Sequence, residues 1–160
     1  MLPYPPGRAY PVSQGNCSVG SHRSASPYRY AHDFAMPAGD TVVAARGGRV
    51  VAVEESFADG TRLAGPENEV VVRHRDGTFA RYIHLTRGGA LVAEGDVVGQ
   101  GQPIALSGDS GNSRGPHLHF DVAACPAEHC DTLPVTFRNT GPHPGGLELR
   151  VRYPAYPQVR

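Results

Sequence analysis

The stretch Glu69-Val-Val-Val-Arg-His-Arg75-Asp76-Gly77-Thr78-Phe-Ala-Arg-Tyr-Ile-His84 decides the fold class. Both arms are rich in β-branched and aromatic residues, and an Asp-Gly pair between such arms is a hairpin signal. The reading predicts a strand over Glu69–Arg75, a two-residue turn at Asp76-Gly77 and a return strand over Thr78–His84. The same texture continues outward in both directions. Thr41–Ala45 and Gly48–Glu54 read as strand, turn, strand. Gly95-Asp-Val-Val-Gly-Gln-Gly101 is a turn cluster before a strand at Pro103–Ser107, and His117–Val122 and Leu133–Phe137 read as two more. No window of about 11 residues or more carries helical spacing.

Many short strands punctuated by 20 Gly and 15 Pro predict an all-β fold. The expected form is a single compact antiparallel β-sheet domain, a sandwich or partly open barrel with Pro/Gly-rich loops. A chain of 160 residues holds one hydrophobic core and is too short for two ordinary domains, so the domain is expected to span 1–160. Its motif-bearing part is 20–123. Residues 1–15 and 139–160 are Pro-rich and read as extended ends wrapping the surface, with a lid over a site as the sharper alternative.

Charge excludes one large class of function. Lys+Arg and Asp+Glu are 15 each, so the basic excess of a nucleic-acid binder is missing. No stretch approaches the roughly 18 apolar residues of a membrane span, so no integral membrane segment is expected. Met1-Leu-Pro-Tyr-Pro-Pro6 has neither the charged nor the apolar region of a signal peptide. Cys125 and Cys130 flank a short loop that a disulfide could close, and two reduced thiols are the alternative. Cys17 is then the odd one. The pair favours an oxidising compartment.

The chemistry concentrates in Gly115-Pro-His117-Leu-His119-Phe120. Residues i and i+2 of a strand face the same way, so His117 and His119 share one face while Leu118 and Phe120 point to the packed side. Two imidazoles on one face of an apolar strand present nitrogen ligands or a base. His84 ends the hairpin's return strand. Asp33 sits in the apolar run Tyr30-Ala-His-Asp33-Phe-Ala-Met, where a carboxylate is costly unless paired or bound to metal. His22 lies upstream in a polar loop. Two His and one Asp around a divalent ion, with a fourth position for water, is a catalytic zinc pattern, and two further His nearby could move protons.

These segments, in this order, resemble the M23, or lysostaphin-like, metallopeptidases, which are small β-sheet zinc enzymes. The likeness runs from about His22 to Phe120. It includes Tyr30–Gly39, Val43–Val50, Tyr82-Ile-His84-Leu, Gly95–Ile104 and Gly108–Phe120, the last being the most specific. The resemblance implies one zinc ion per chain, held by His22, Asp33 and His119, with His84 and His117 as the catalytic pair. The common first motif of the family has its His four residues before the Asp, where this chain has Arg29. His22, eleven residues before Asp33, fits a variant with a longer gap. His32 is the rival ligand by proximity, but as Asp33's neighbour in a strand it should face the other side.

The implied activity is endopeptidase cleavage of stem or cross-bridge peptides in bacterial peptidoglycan by a secreted or periplasmic monomer. A non-catalytic module that grips peptidoglycan or regulates another hydrolase is the alternative. Asp121, two residues beyond His119, reads equally as a partner for that ring and as an exposed edge acid. Loops at Glu55–Glu67 and from Asn139 onward are expected to set specificity.

Other signals carry less. Gly108-Asp-Ser110-Gly resembles the nucleophile segment of trypsin-like proteases, but Asn112 follows and no matching His segment exists, so it reads as a turn. Asn16-Cys-Ser18 fits a glycosylation pattern that a bacterial source would make irrelevant. The turn cluster at Gly95 is similar to that of biotinyl and lipoyl carrier domains, which need a lysine; this chain has none. His74, His129 and His143 read as surface or cross-strand residues.

Overall fold

In the computed structural model, which describes residues 1–62, 67–127 and 130–157, eleven strands form two antiparallel sheets. The hairpin that decided the fold class is β5 (Glu69–Arg73) and β6 (Phe79–Ile83). Its turn is longer than the expected two residues. His74 N donates to the Thr78 carbonyl at 2.8 Å, Gly77 N donates to the His74 carbonyl at 3.1 Å, and Gly77 has φ 86°. That is a three-residue loop closed by a left-handed glycine, a geometry that Asp-Gly supports equally well.

The larger sheet also contains β1 (Ala9–Gln14), β2 (His32–Phe34), β4 (Gly48–Glu54), β8 (Val97–Val98), β10 (Leu118–Ala123) and β11 (Arg152–Pro154). Its order is β11-β1-β2-β10-β6-β5-β4-β8. The smaller sheet is β3 (Thr41–Val43), β9 (Pro103–Ser107) and β7 (Leu85–Ala90), in the order β3-β9-β7. Thr41–Val43 and Gly48–Glu54 therefore belong to different sheets, and the turn between them is a crossing rather than a hairpin. One apolar cluster joins the sheets, with Val42 and Ile104 packed in the same core as Phe34, Leu118 and Phe120.

Two expectations fail here. The Pro-rich ends are extended but not confined to the surface: β1 pairs β2 on one side and β11 on the other, Leu2 and Tyr4 are fully buried, and the loop between 140 and 151 lies mostly at the surface. Proline hid the strand from the sequence reading, yet Pro11 still accepts from Ala35 N at 2.9 Å through its carbonyl. Leu133–Phe137 is not a strand. An isolated bridge from Ala123 to Thr132 stops just before it, 133–137 form no ladder, and Pro134 cannot donate to one.

Candidate metal centre

Strand alternation builds the site. In β2, Phe34 and His32 turn to the core while Asp33 turns away; in β10, Leu118 and Phe120 turn to the core while His119 and Asp121 turn away. The register sets His119 opposite Asp33, and Asp121 opposite Arg81 of β6. His22 comes from elsewhere, at the end of the short 3-10 turn Gly20–His22, and is fully buried.

One ligand atom from each of His22, Asp33 and His119 lies within 4.8 Å of the others. His119 Nδ1 is 2.9 Å and His22 Nε2 3.4 Å from the same oxygen, Asp33 Oδ1. Tetrahedral zinc ligands at about 2.0 Å from the ion stand about 3.3 Å apart, inside that range. Hydrogen bonding does not account for the convergence. Both His22 nitrogens and Asp33 Oδ1 are buried without a hydrogen-bond partner, so the His119 contact is close but not aligned as a bond. Buried polar atoms are ordinarily satisfied. An orphaned imidazole and an orphaned carboxylate oxygen, with His119 Nδ1 turned to the same point, fit a zinc ion. Among the described residues this is the one such group of three.

The electrostatics agree with that fit. Burial drives His22 down to about 4, against the pull of Asp33, so its ring is neutral at pH 7 as a ligand must be. Burial alone would raise Asp33, but its contact with His119 and the nearby His22 and His117 outweigh burial and hold it well below the usual carboxylate range. His119 behaves oppositely. Burial disfavours its charge, yet the hydrogen bond to Asp121 and the contact with Asp33 raise it to about 10. A proton on that ring occupies the electrostatic niche of a cation.

Behind His119 stands a buried chain of charge. His119 Nε2 is 3.0 Å from Asp121 Oδ2, and Arg81 grips both Asp121 oxygens at 2.8 Å through Nε and Nη2. Arg81 Nη1 donates to the Ala127 carbonyl at 2.6 Å, in the loop closed by the Cys125–Cys130 disulfide, whose Cα atoms are 5.8 Å apart. Asp121 is therefore no exposed edge acid. It fixes the ring whose other nitrogen faces the metal position. Arg81 escaped the sequence reading because only the register puts it opposite Asp121.

His84 and His117 complete the cluster, with ring centroids 4.5 Å apart. His84 has φ 63°, a left-handed backbone uncommon for a side chain of this size, at the step from β6 to β7 where the chain changes sheets. Its Nδ1 lies 2.9 Å from the Ser110 carbonyl and 3.0 Å from Glu67 Oε2. His117 Nδ1 lies 2.9 Å from the Gly115 carbonyl and 3.1 Å from Ser113 Oγ. A carbonyl can only accept, so Nδ1 of each ring carries the hydrogen and donates to it, which leaves Nε2 as the basic nitrogen. His117 Nε2 is 3.8 Å from Asp33 Oδ2.

The rival ligand lies on the other face. His32 packs beside Phe34 and edge-on to Phe137, with centroids 6.2 and 5.3 Å away. Ser110 is a structural residue that donates to the Leu85 carbonyl and accepts from Asn68 N. His74 is buried at the hairpin turn, not on the surface, with Nδ1 2.9 Å from Thr78 Oγ1. His143 is held within a loop by the Gly141 carbonyl, and Cys17 is a free, exposed thiol. His129, part of the Glu55–Glu67 loop and the last residues of 139–160 lie outside the described residues.

A model of peptidase family M23 matches residues 27–131, a span that holds Asp33, His84, His117 and His119. The chain belongs to peptidase family M23. Its sequence is 34% identical over 119 residues to the peptidoglycan DD-endopeptidase ShyA of Vibrio cholerae, covering 74% of this chain and 23% of that protein. ShyB of the same organism, also named a peptidoglycan DD-endopeptidase, is 39% identical over 90 residues, 56% of this chain and 19% of that protein. The chain thus spans about a quarter or less of these curated relatives. Its structure is similar to that of a zinc-containing peptidase from Vibrio cholerae, with TM-score 0.56 and 31% identity over 76% of this chain and 36% of that one. It is also similar to the catalytic domain of the antimicrobial peptidase lysostaphin from Staphylococcus simulans. There the TM-score is 0.57 and identity 29%, over 82% of this chain and 88% of that domain. Residue His22 falls before the matched span, so its place in the centre rests on the geometry of this M23 chain alone.

Proposed function

We propose that this M23 domain is a zinc-dependent endopeptidase that hydrolyses peptide bonds in bacterial peptidoglycan. The observation that carries the reading is the meeting of His22, Asp33 and His119 at one point, beside a second pair of histidines each held through Nδ1. The names of the curated relatives support peptidoglycan as the substrate. A peptidoglycan substrate and the Cys125–Cys130 disulfide both favour a periplasmic or extracellular setting.

Two neutral imidazoles and one carboxylate would hold zinc with net positive charge, and such an ion supplies a Lewis acid that lowers the pKa of water towards neutral. The remaining work falls to the chain. Asp33 stays ionised and His22 neutral at pH 7, while His119, raised to about 10, would have to give up its proton to serve as the third ligand. Asp121 and Arg81 fix the His119 ring. His84 and His117, each pinned through Nδ1, present Nε2 to accept a proton from the attacking water and to donate one to the oxyanion or the leaving amine. All five positions are filled, which favours turnover over a role confined to gripping the wall.

Purified sacculi incubated with the protein test the proposal. Mass spectrometry should show cross-linked muropeptides converted to uncross-linked ones, a chelator should stop the conversion and added zinc should restore it. Digestion indifferent to the chelator, or zinc-loaded protein that leaves sacculi intact, would sink the proposal.

A further inference from the structure

We infer that Gln14 is a positioning residue for the metal centre: one side-chain amide sets both the carboxylate of Asp33 and the turn that delivers His22. The inference rests on the zinc reading above. Gln14 Nε2 donates to Asp33 Oδ2 at 2.6 Å, while Asp33 Oδ1 faces His22 and His119. The amide therefore occupies one carboxylate oxygen and leaves the other for the ion. Its own oxygen accepts from Ser21 N at 3.1 Å, on the residue next to His22, and Nε2 also lies 3.3 Å from Ser21 Oγ.

Two backbone features serve this contact. A β-bulge in β1 breaks the register between Val12, which pairs with Phe34, and Gln14, which pairs with Asp33. In an unbroken ladder Ser13 would stand opposite Asp33. The extra residue puts the longer amide there instead, which is a known use of bulges beside functional sites. Then Gly20, at φ 64°, takes the left-handed backbone that brings the turn up against Gln14 Oε1, where a Cβ would crowd the amide. The loop from Ser21 and the strand from Asp33 are thus tied at a single side chain, which explains how a histidine eleven residues before Asp33, on a separate turn, arrives at a fixed distance from it.

Substitution separates the two halves of this role. Gln14→Glu keeps the shape and the oxygen that accepts from Ser21 N, but replaces the donor to Asp33 with a second carboxylate. Gln14→Ala removes both contacts. Metal-stripped wild type and both variants would be titrated with zinc against a chromophoric chelator, and their metal-free melting curves recorded for folding. Outer partners of metal ligands typically account for about 10- to 100-fold in metal affinity. Gln14→Ala should lose about that much, and Gln14→Glu as much or more. If Gln14 only latches the turn, Gln14→Glu will bind zinc like wild type, and the inference is overturned. It is equally overturned if Gln14→Ala binds as tightly as wild type. Wild type that takes up no zinc would remove the metal reading itself, an outcome distinct from either.

Discussion

The two faces of β2 and β10 are built from alternate residues of the same strands, yet they solve opposite problems. On the core face, Phe34, Leu118 and Phe120 are buried among apolar neighbours and need nothing but shape. On the other face, Asp33, His119 and Asp121 are just as buried but must satisfy charge. They do so in a line running from the disulfide loop through Arg81, Asp121 and His119, and the line ends at Asp33 Oδ1 and the His22 ring, which face each other without a hydrogen bond. His22 and His32 sharpen the contrast. Both are fully buried, and burial lowers both, to about 4 and about 3. One faces Asp33 and His119, the other faces Phe34 and Phe137. Burial and an unsatisfied ring do not make a ligand; what the ring faces does.

The largest expected difference between the faces comes from exchanging these two histidines in turn. His22→Leu should abolish stoichiometric zinc binding and muropeptide release, whereas His32→Leu should keep both, because it replaces a ring without partners by a side chain suited to its apolar surroundings. Zinc content by mass spectrometry, measured on both variants, decides; equal loss in the two would erase the distinction between the faces.

Stability should follow next. Asp121→Ala leaves Arg81 buried and unpaired, which costs about 3–5 kcal/mol, and it also weakens zinc because His119 loses its outer partner. On the core face, Phe120→Ala should cost a similar 3–5 kcal/mol or so through lost burial and a cavity. Its folded fraction should still bind zinc normally. Urea denaturation paired with a zinc titration separates them: the Asp121 change moves both readouts, the Phe120 change only the first.

The mildest effect lies in pH and appears in the metal-free protein. With its folded pKa raised from 6.5 to about 10, His119 contributes stability that is fully present below about pH 6.5 and is lost as pH rises through 10. Chelator-treated protein should therefore lose stability across that window by urea denaturation. Zinc-loaded protein should not lose this contribution, since its His119 carries no proton to release. A flat profile for the metal-free form would show that Asp33 and Asp121 do not hold a proton on that ring.

Alternation explains why much of this was legible in the sequence. The His-x-His spacing of His117 and His119, the buried Asp33 and the hairpin at Asp76-Gly77 each follow from local rules of strand geometry, and the same rule put His32 on the far face. What stayed hidden depends on contacts distant in the chain. β1 and β11 were masked by Pro11 and Pro154, and their pairing joins residues more than a hundred positions apart. Arg81 acquires its role through the β6–β10 register, and Gln14 through a bulge, neither of which leaves a local signature. Of the two readings offered for His74, surface or cross-strand, the structure bears out the second, with Nδ1 2.9 Å from Thr78 Oγ1 across the hairpin.

The most direct test of the central claim is the X-ray absorption spectrum of the zinc-loaded protein, recorded for wild type, His22→Ala and His32→Ala. Wild type should show a first shell of nitrogen and oxygen at about 2.0–2.1 Å with scattering from two imidazoles. His22→Ala should lose one imidazole or the ion altogether, while His32→Ala matches wild type. A sulfur shell, or a spectrum changed by His32→Ala and untouched by His22→Ala, would contradict the account.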